Sequence, residues 1–326
     1  MKSVSVTGAA GFIGTHLVNE LVSNNWKIDW AVDYLNPPYG NELSELRLRA
    51  LPKVINLDKS DLRNLSISEI VEKIDRSEII IHLAAFAGVR YGEEKPYEYF
   101  LNNVEVFSKL LQAIELVKPK YFIYASSSSV YGNLGLNAPC KESDATGLNL
   151  RSTYAMTKWI NEIQARDFTR RTKLKTLGLR FFTVYGPLGR PDMAYFKYLK
   201  SLKEKTVFEI YGKDGGSRNY TYISDAVKAI ERISESILMN PNLNIPEILN
   251  IGFGPSNKTS DLFSLIEKNS GMEHENLQYV DRPGVDVDVT SADNSKLIEL
   301  LGNIVQTPLE TGVKNFVDWA RSENIC

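Results

Sequence analysis

Short apolar runs alternate with longer helical patterns through the first half of the chain. Residues 4–6, 28–32, 54–57, 79–83, 121–125 and 177–181 are rich in β-branched and aromatic side chains and predict strands. Between them, residues 11–22, 97–117 and 153–171 carry the wider spacing of helices. Apolar strands alternating with helices predict an α/β fold, a Rossmann-type doubly wound parallel sheet covered on both faces. After Phe181 the rhythm breaks. Gly186-Pro187, Gly189-Arg190-Pro191 and the glycines of 212–216 punctuate short elements. The expected division is a dinucleotide-binding domain over 1–181 and a smaller mixed α/β substrate domain over 182–326, with segments returning to the first domain. No internal repeat or low-complexity tract interrupts this pattern.

Composition narrows the partners. The 326 residues are 43% hydrophobic and 24% charged, with a net charge of -2. That balance offers nucleic acid or a membrane surface no global attraction. An anionic ligand therefore needs a local cluster of arginine or lysine. Cys140 and Cys326 cannot build a disulfide framework, and His16, His82 and His274 are too scattered to hold a metal, so packing or surface roles are expected for all five. No apolar run approaches a membrane span and no signal peptide is visible, so a reducing cytoplasm is the expected compartment.

Chemistry first shows in a glycine-rich turn. Gly8-Ala9-Ala10-Gly11-Phe12-Ile13-Gly14 follows the first strand and opens the first helix. Glycines there permit a tight turn and close backbone approach to a pyrophosphate, and the helix start supplies free N–H groups. The spacing is GxxGxxG rather than GxGxxG. Asp33 ends the second strand, where an acid can bond an adenosine ribose and repel a 2′-phosphate, so NAD is expected over NADP. Asp61-Leu62 is placed to flank the adenine, and Leu83-Ala84-Ala85 ends the fourth strand with small residues that admit a cofactor. Tyr154 and Lys158 stand one helical turn apart, where an ammonium favours a phenolate. Ser126-Ser127-Ser128-Ser129 follows the 121–125 strand into the crevice where such folds bind ligands. Taken alone, each motif also fits a purely structural role.

Together these residues resemble the extended short-chain dehydrogenase/reductase family over nearly the whole chain. The resemblance implies Ser127 polarising a substrate hydroxyl, Tyr154 as general base and Lys158 as its activator. It implies Asn103 as a structural and proton-relay position and Phe181 beside the cofactor. Longer strings are more specific. Residues 82–91, the run from Arg180 to Ala194, and 218–225 are similar to UDP-glucuronate 4-epimerases. That similarity implies NAD as cofactor, a UDP-sugar as substrate, Arg190, Arg218 and Arg282 as cations for its nucleotide, and Arg90 near the sugar. It further implies Ser127, Ser128, Ser129 and Thr183 as hydroxyls around the sugar, and a homodimer paired through the 97–117 and 153–171 helices. Related decarboxylases and dehydratases carry an acid just before the Val-Tyr-Gly of the serine loop, where this chain has Ser128-Ser129. Competing readings are a neutral UDP-sugar 4-epimerase, a UDP-glucuronate decarboxylase, and a non-catalytic NAD-binding module.

Four departures stand out. Asn219 replaces the usual Asp and is expected to bear on Arg218. Asn36-Pro37-Pro38-Tyr39 is expected to change only a loop. One extra residue precedes Asp286, and the 133–147 stretch is longer than in relatives.

Overall fold

The structure is a computed structural model, and it describes residues 2–133, 139–213, 215–240 and 242–325. Cys326 and part of the 133–147 stretch lie outside the described residues. Seven parallel strands form the main sheet in the order β10-β6-β5-β4-β1-β2-β3. They are β1 (Ser3–Thr7), β2 (Lys27–Val32), β3 (Leu57–Asp58), β4 (Ile79–His82), β5 (Tyr121–Ser127), β6 (Thr176–Phe181) and, from the second half of the chain, β10 (Ile248–Ile251). The chain runs outward from β1 through β2 and β3, then crosses back to β4 on the other side. This reversal opens a crevice beyond the carboxyl ends of β1 and β4.

Helices cover both faces because alternate strand residues point to opposite sides. Ile79, Ile81, Tyr121 and Ile123 pack with α1 (Phe12–Ser23) and α9 (Ile223–Met239). Ile80, Phe122 and Tyr124 pack with α3 (Ile67–Ile74), α6 (Val106–Val117) and α7 (Thr153–Thr172). With apolar side chains needed on both faces, the strands read as continuous apolar runs.

Three elements differ from the sequence pattern. The strand expected at 54–57 shrinks to Leu57–Asp58, because Ile55 N–H closes a turn on the Pro52 carbonyl. The helix expected over 97–117 is present but not uniform: α5 (Pro96–Phe100) passes through a wide π-turn at Leu101–Glu105 into α6. The π-turn presents Asn103, whose side chain bonds both backbone groups of Phe86. The third difference is β10, which pairs with β6 and which the apolar pattern did not single out.

The rest of the second half builds its own small layer. β7 (Thr183–Tyr185), β9 (Ser217–Tyr222) and β11 (Ser256–Lys258) form one sheet, while β8 (Phe208–Tyr211) pairs in parallel with β12 (Leu277–Val280). Tyr185, Tyr195, Phe263 and Phe316 centre a core with α8 (Ala194–Glu204), α10 (Thr259–Ser270) and α12 (Leu309–Ser322). The short helices α2 (Ser44–Ala50), α4 (Val89–Glu94) and α11 (Ser295–Leu301) complete the fold. Among the described residues, no helix is long and apolar enough to cross a membrane.

Candidate active site

The glycine turn lies where β1 meets β4 and α1. Gly8 sits at φ 74°, and a Cβ there would come within 2.6 Å of the Ala84 nitrogen. A Cβ on Gly14 would fall 1.8 Å from the Gly8 carbonyl oxygen, so the first turn of α1 packs directly on the loop. Gly11 caps α1 without a side chain, leaving the helix-start N–H groups open to an anion. Asp33 follows β2, and its carboxylate accepts from Ala10 N–H (3.1 Å) and Leu35 N–H (2.9 Å). Burial pushes the Asp33 carboxyl up, and these backbone donors offset only part of the rise. Replacing Asp33 by Ser should remove a charged acceptor worth about 1.5–3 kcal/mol, roughly a ten- to hundredfold loss of NAD affinity, and narrow the preference over NADP. Calorimetric titration with both dinucleotides checks this; an unchanged NAD/NADP ratio would place the ribose elsewhere.

The start of α7 is set by two contacts. Ser152 Oγ accepts from Ala155 N–H (3.1 Å), and Glu93 accepts from Thr153 N–H (2.6 Å). These N-terminal caps place Tyr154 in the first turn and Lys158 one turn below it. Lys158 Nζ donates to the Ala125 carbonyl at 2.9 Å. The Tyr154 ring packs edge-on against Tyr99 with centroids 6.4 Å apart. Ser127 Oγ accepts from Ser129 N–H and donates to Ser129 Oγ, both at 3.1 Å, which curls the serine loop into a single tight turn.

The electrostatics differ from the sequence expectation. Burial pushes the Tyr154 phenol up, while Arg190 and Ser127 pull it down; burial wins. Burial also brings Lys158 down to about 7, so this amine is poised between charged and neutral near neutral pH. The positive charge that draws the Tyr154 phenol down is that of Arg190. His82, buried on β4 and bonded to Thr7 Oγ1 at 2.6 Å, is brought down to about 3 by burial and by Lys158, and stays neutral.

One cavity of about 1150 Å³ joins these groups. It is lined by Gly8, Gly11, Phe12, Ile13, Gly14, Asp33, Asp61, Leu62, Leu83, Ala84, Ala85 and Phe181 at one end. Ser127, Ser128, Ser129, Tyr154, Lys158 and Thr183 also line it, as do Arg90, Arg190, Arg218 and Arg282. This is larger than a pocket for one drug-sized ligand and suits a dinucleotide beside a second nucleotide. The glycine cradle, the strand-end acid and the open helix start fit NAD. Asn103 does not line the cavity: it bonds Phe86 and Thr157 behind the wall. Asp61 faces the cavity, but its carboxylate is held by Arg63 at 2.7 Å.

Each wall arginine has a protein partner. Arg190 makes a two-pronged pair with Asp192 (3.0 and 2.6 Å), and although burial opposes its charge, the carboxylate raises its pKa. Arg282 pairs with Asp288, and Arg218 donates to the carbonyls of Ser217, Val287 and Asp288. Asn219 therefore does not orient Arg218; it is buried and bonds the Gly254 carbonyl. Arg90, also in the cavity wall, stacks over Tyr211 at 4.3 Å and pairs with Asp286 at 3.0 Å.

Several residues of the site escaped the sequence reading. Tyr39 is more than loop: its ring lies 5.0 Å from the Arg190 guanidinium, and its hydroxyl accepts from Arg47 (3.3 Å). Arg47 is buried and also holds the Leu188 and Gly189 carbonyls, which fixes the loop carrying Arg190. The spacing Arg190-x-Asp192 was a visible signal for one of these contacts; nothing local announced Tyr39, Arg47 or Tyr211.

The profile of the NAD dependent epimerase/dehydratase family matches residues 4–252. UDP-glucuronate 4-epimerase 4 of Arabidopsis thaliana is 36% identical, over 97% of this chain and 75% of that protein. The solved structure of UDP-glucuronic acid 4-epimerase from Bacillus cereus, in complex with UDP-glucuronic acid and NAD, is 29% identical, with a TM-score of 0.89 over 98% of this chain and 99% of that one. UDP-N-acetylglucosamine 4-epimerase from Methanobrevibacter ruminantium is 27% identical, with a TM-score of 0.85 over 99% of each chain. Glycine turn, strand-end acid, serine loop and Tyr-x-x-x-Lys helix thus meet in one cleft on the fold these proteins share, and the chain belongs to the NAD dependent epimerase/dehydratase family.

Proposed function

We propose that this chain interconverts UDP-glucuronate and UDP-galacturonate by inverting carbon 4 through a 4-keto sugar. The coarser statement follows from the family and its relatives: it is an NAD-dependent nucleotide-sugar epimerase, an isomerase. The observation that carries the finer reading is the similarity of residues 82–91, 180–194 and 218–225 to UDP-glucuronate 4-epimerases; the serine loop beside Tyr154, free of the acid that decarboxylases and dehydratases place there, favours epimerisation over those reactions.

NAD supplies a hydride acceptor and donor at carbon 4, so no net redox change occurs. Tyr154 takes the proton of the carbon-4 hydroxyl and later returns it to the opposite epimer. Burial holds the Tyr154 phenol above its ordinary range, and Arg190 and Ser127 offset part of that rise. Ser127 supports the same hydroxyl. Wall arginines carry the diphosphate. The keto sugar turns over between the two proton transfers, and the width of the cavity leaves it space.

The 4-keto uronate is a β-keto acid and loses carbon dioxide when its carboxylate bond aligns with the carbonyl π system. Ser127, Ser128 and Thr183 are hydroxyl donors suited to hold the carboxylate out of that alignment. Replacing Thr183 by Val should raise the KM for UDP-glucuronate roughly tenfold, the loss of one hydrogen bond to a charged group, or release a UDP-pentose. An unchanged rate and product would count against this role.

A second reading has one observation in its favour. The Arg190 guanidinium is already paired with the Asp192 carboxylate, which leaves it less available to a substrate carboxylate. That suits a neutral UDP-sugar. Incubation with UDP-glucuronate, UDP-glucose and UDP-N-acetylglucosamine, with products resolved by NMR, decides between them. UDP-galacturonate supports the proposal, UDP-xylose indicates decarboxylation, and turnover of only neutral sugars establishes the second reading. No turnover of any of them would leave a binding module. A homodimer and a cytoplasmic location remain part of the proposal.

A further inference from the structure

Beneath the serine loop lies a buried ion pair that the proposed chemistry does not use. Glu162, one turn beyond Lys158 on α7, and Arg180 on β6 are 1% and 2% exposed. Arg180 Nε and Nη2 donate to the two carboxylate oxygens at 2.9 and 2.7 Å. Ser126 Oγ donates to the same carboxylate at 2.5 Å. Ser126 and Arg180 stand opposite each other in the β5–β6 register, so both face α7. Arg180 reaches further still. Its Nη1 holds the Glu142 carbonyl at 2.8 Å, and its guanidinium stacks over Tyr131 at 4.8 Å, the last residue of the serine turn. Tyr131 and the Glu142 carboxylate in turn both bond Asn250 on β10, at 2.6 and 3.0 Å.

The consequence is geometric. Successive inward turns of α7 are tied to successive residues at the exit of β5: Lys158 to the Ala125 carbonyl, Glu162 to the Ser126 hydroxyl. The next β5 residue is Ser127. Tyr154 rides on the helix and Ser127 on the strand, so these two tethers set the register between them. A buried ion pair adds little stability over a well-packed apolar pair, so its charges are better explained by the fixed geometry they impose.

We propose that Glu162 and Arg180 are positioning residues that act through Ser126 to hold the Ser127 hydroxyl against the Tyr154 phenol. The proposal rests on Tyr154 being the proton-transfer group of the function proposed above. The test replaces Ser126 by Ala, which cuts the strand from the helix while leaving the ion pair whole. Glu162→Gln is the second variant: it keeps the acceptor for Ser126 and loses the charge.

Two readouts are taken on full-length protein. The first is kcat and KM against pH with the UDP-sugar the wild type turns over. The second needs no turnover: ultraviolet difference absorbance follows the Tyr154 phenolate through a pH titration, with Tyr154→Phe as the blank. For Ser126→Ala we expect kcat to fall roughly tenfold to a hundredfold with KM little changed, as misplacement of a reacting group by a fraction of an ångström produces. The phenolate titration should move upward as Ser127 support is lost. Glu162→Gln should retain more activity than Glu162→Ala.

A Ser126→Ala enzyme with wild-type kcat, pH profile and phenolate titration would overturn the proposal, as would a variant that only melts earlier. If the wild type turns over no UDP-sugar while the titration still shifts, the positioning role stands and the catalytic reading falls.

Discussion

Replacing Tyr154 by Phe is expected to lower kcat by about 10²- to 10⁴-fold, the usual contribution of a positioned acid–base group. The phenol oxygen is the group placed to take a sugar proton, and phenylalanine removes it while keeping the ring. That ring still packs edge-on against Tyr99 and fills the same space on α7, so the thermal midpoint should hardly move. Affinity for NAD and for the UDP-sugar should stay within a few-fold, because the wall arginines and the glycine cradle are untouched. Stopped turnover with intact binding, measured by NMR product analysis beside calorimetric titration, is the pattern to look for. Persistent epimerisation would move the proton-transfer role to another group in the cavity.

The next largest effect should come from Gly14→Ala. The added methyl would lie 1.8 Å from the Gly8 carbonyl oxygen and 2.8 Å from its carbon. Both obstacles are backbone, so no side chain can rotate away. Either α1 lifts from the loop or the loop deforms, and both misplace the N–H groups aimed at a pyrophosphate. We expect NAD affinity to drop by about a hundredfold, equivalent to roughly 2.7 kcal/mol. Overpacking should also lower stability by about 1–3 kcal/mol. Gly284→Ala is the control: nothing lies within 4 Å of its added methyl, and its stability should stay within about 0.5 kcal/mol of wild type. Equal NAD affinity in wild type and Gly14→Ala would mean that the cofactor does not seat on this turn.

Part of the candidate site was legible because its signals are local. A glycine turn, a strand-end acid and a tyrosine four residues before a lysine are read from spacings within one or two elements. The cavity collects all of these groups. Asn103 shows where local reading stops. Its place in the π-turn puts it behind the wall, because its amide is consumed by the Phe86 backbone and Thr157. Arg90 likewise takes a partner, Asp286, that stands 196 positions away in the sequence.

The chain's apolar rhythm by itself determined a parallel sheet wrapped in helices, since strands buried on both faces must be apolar at consecutive positions. It also determined that Tyr154 and Lys158 share a helix face, since helical pitch allows nothing else at that spacing. Only the tertiary structure decided that β10 joins the sheet beside β6, that Tyr39 lies under Arg190, and that the Ser126 hydroxyl is tied to Glu162. The reason is physical. Side-chain pairing in a cleft depends on where distant segments cross after the core has packed, and charged groups there choose partners by geometry and burial, which no short window of sequence encodes.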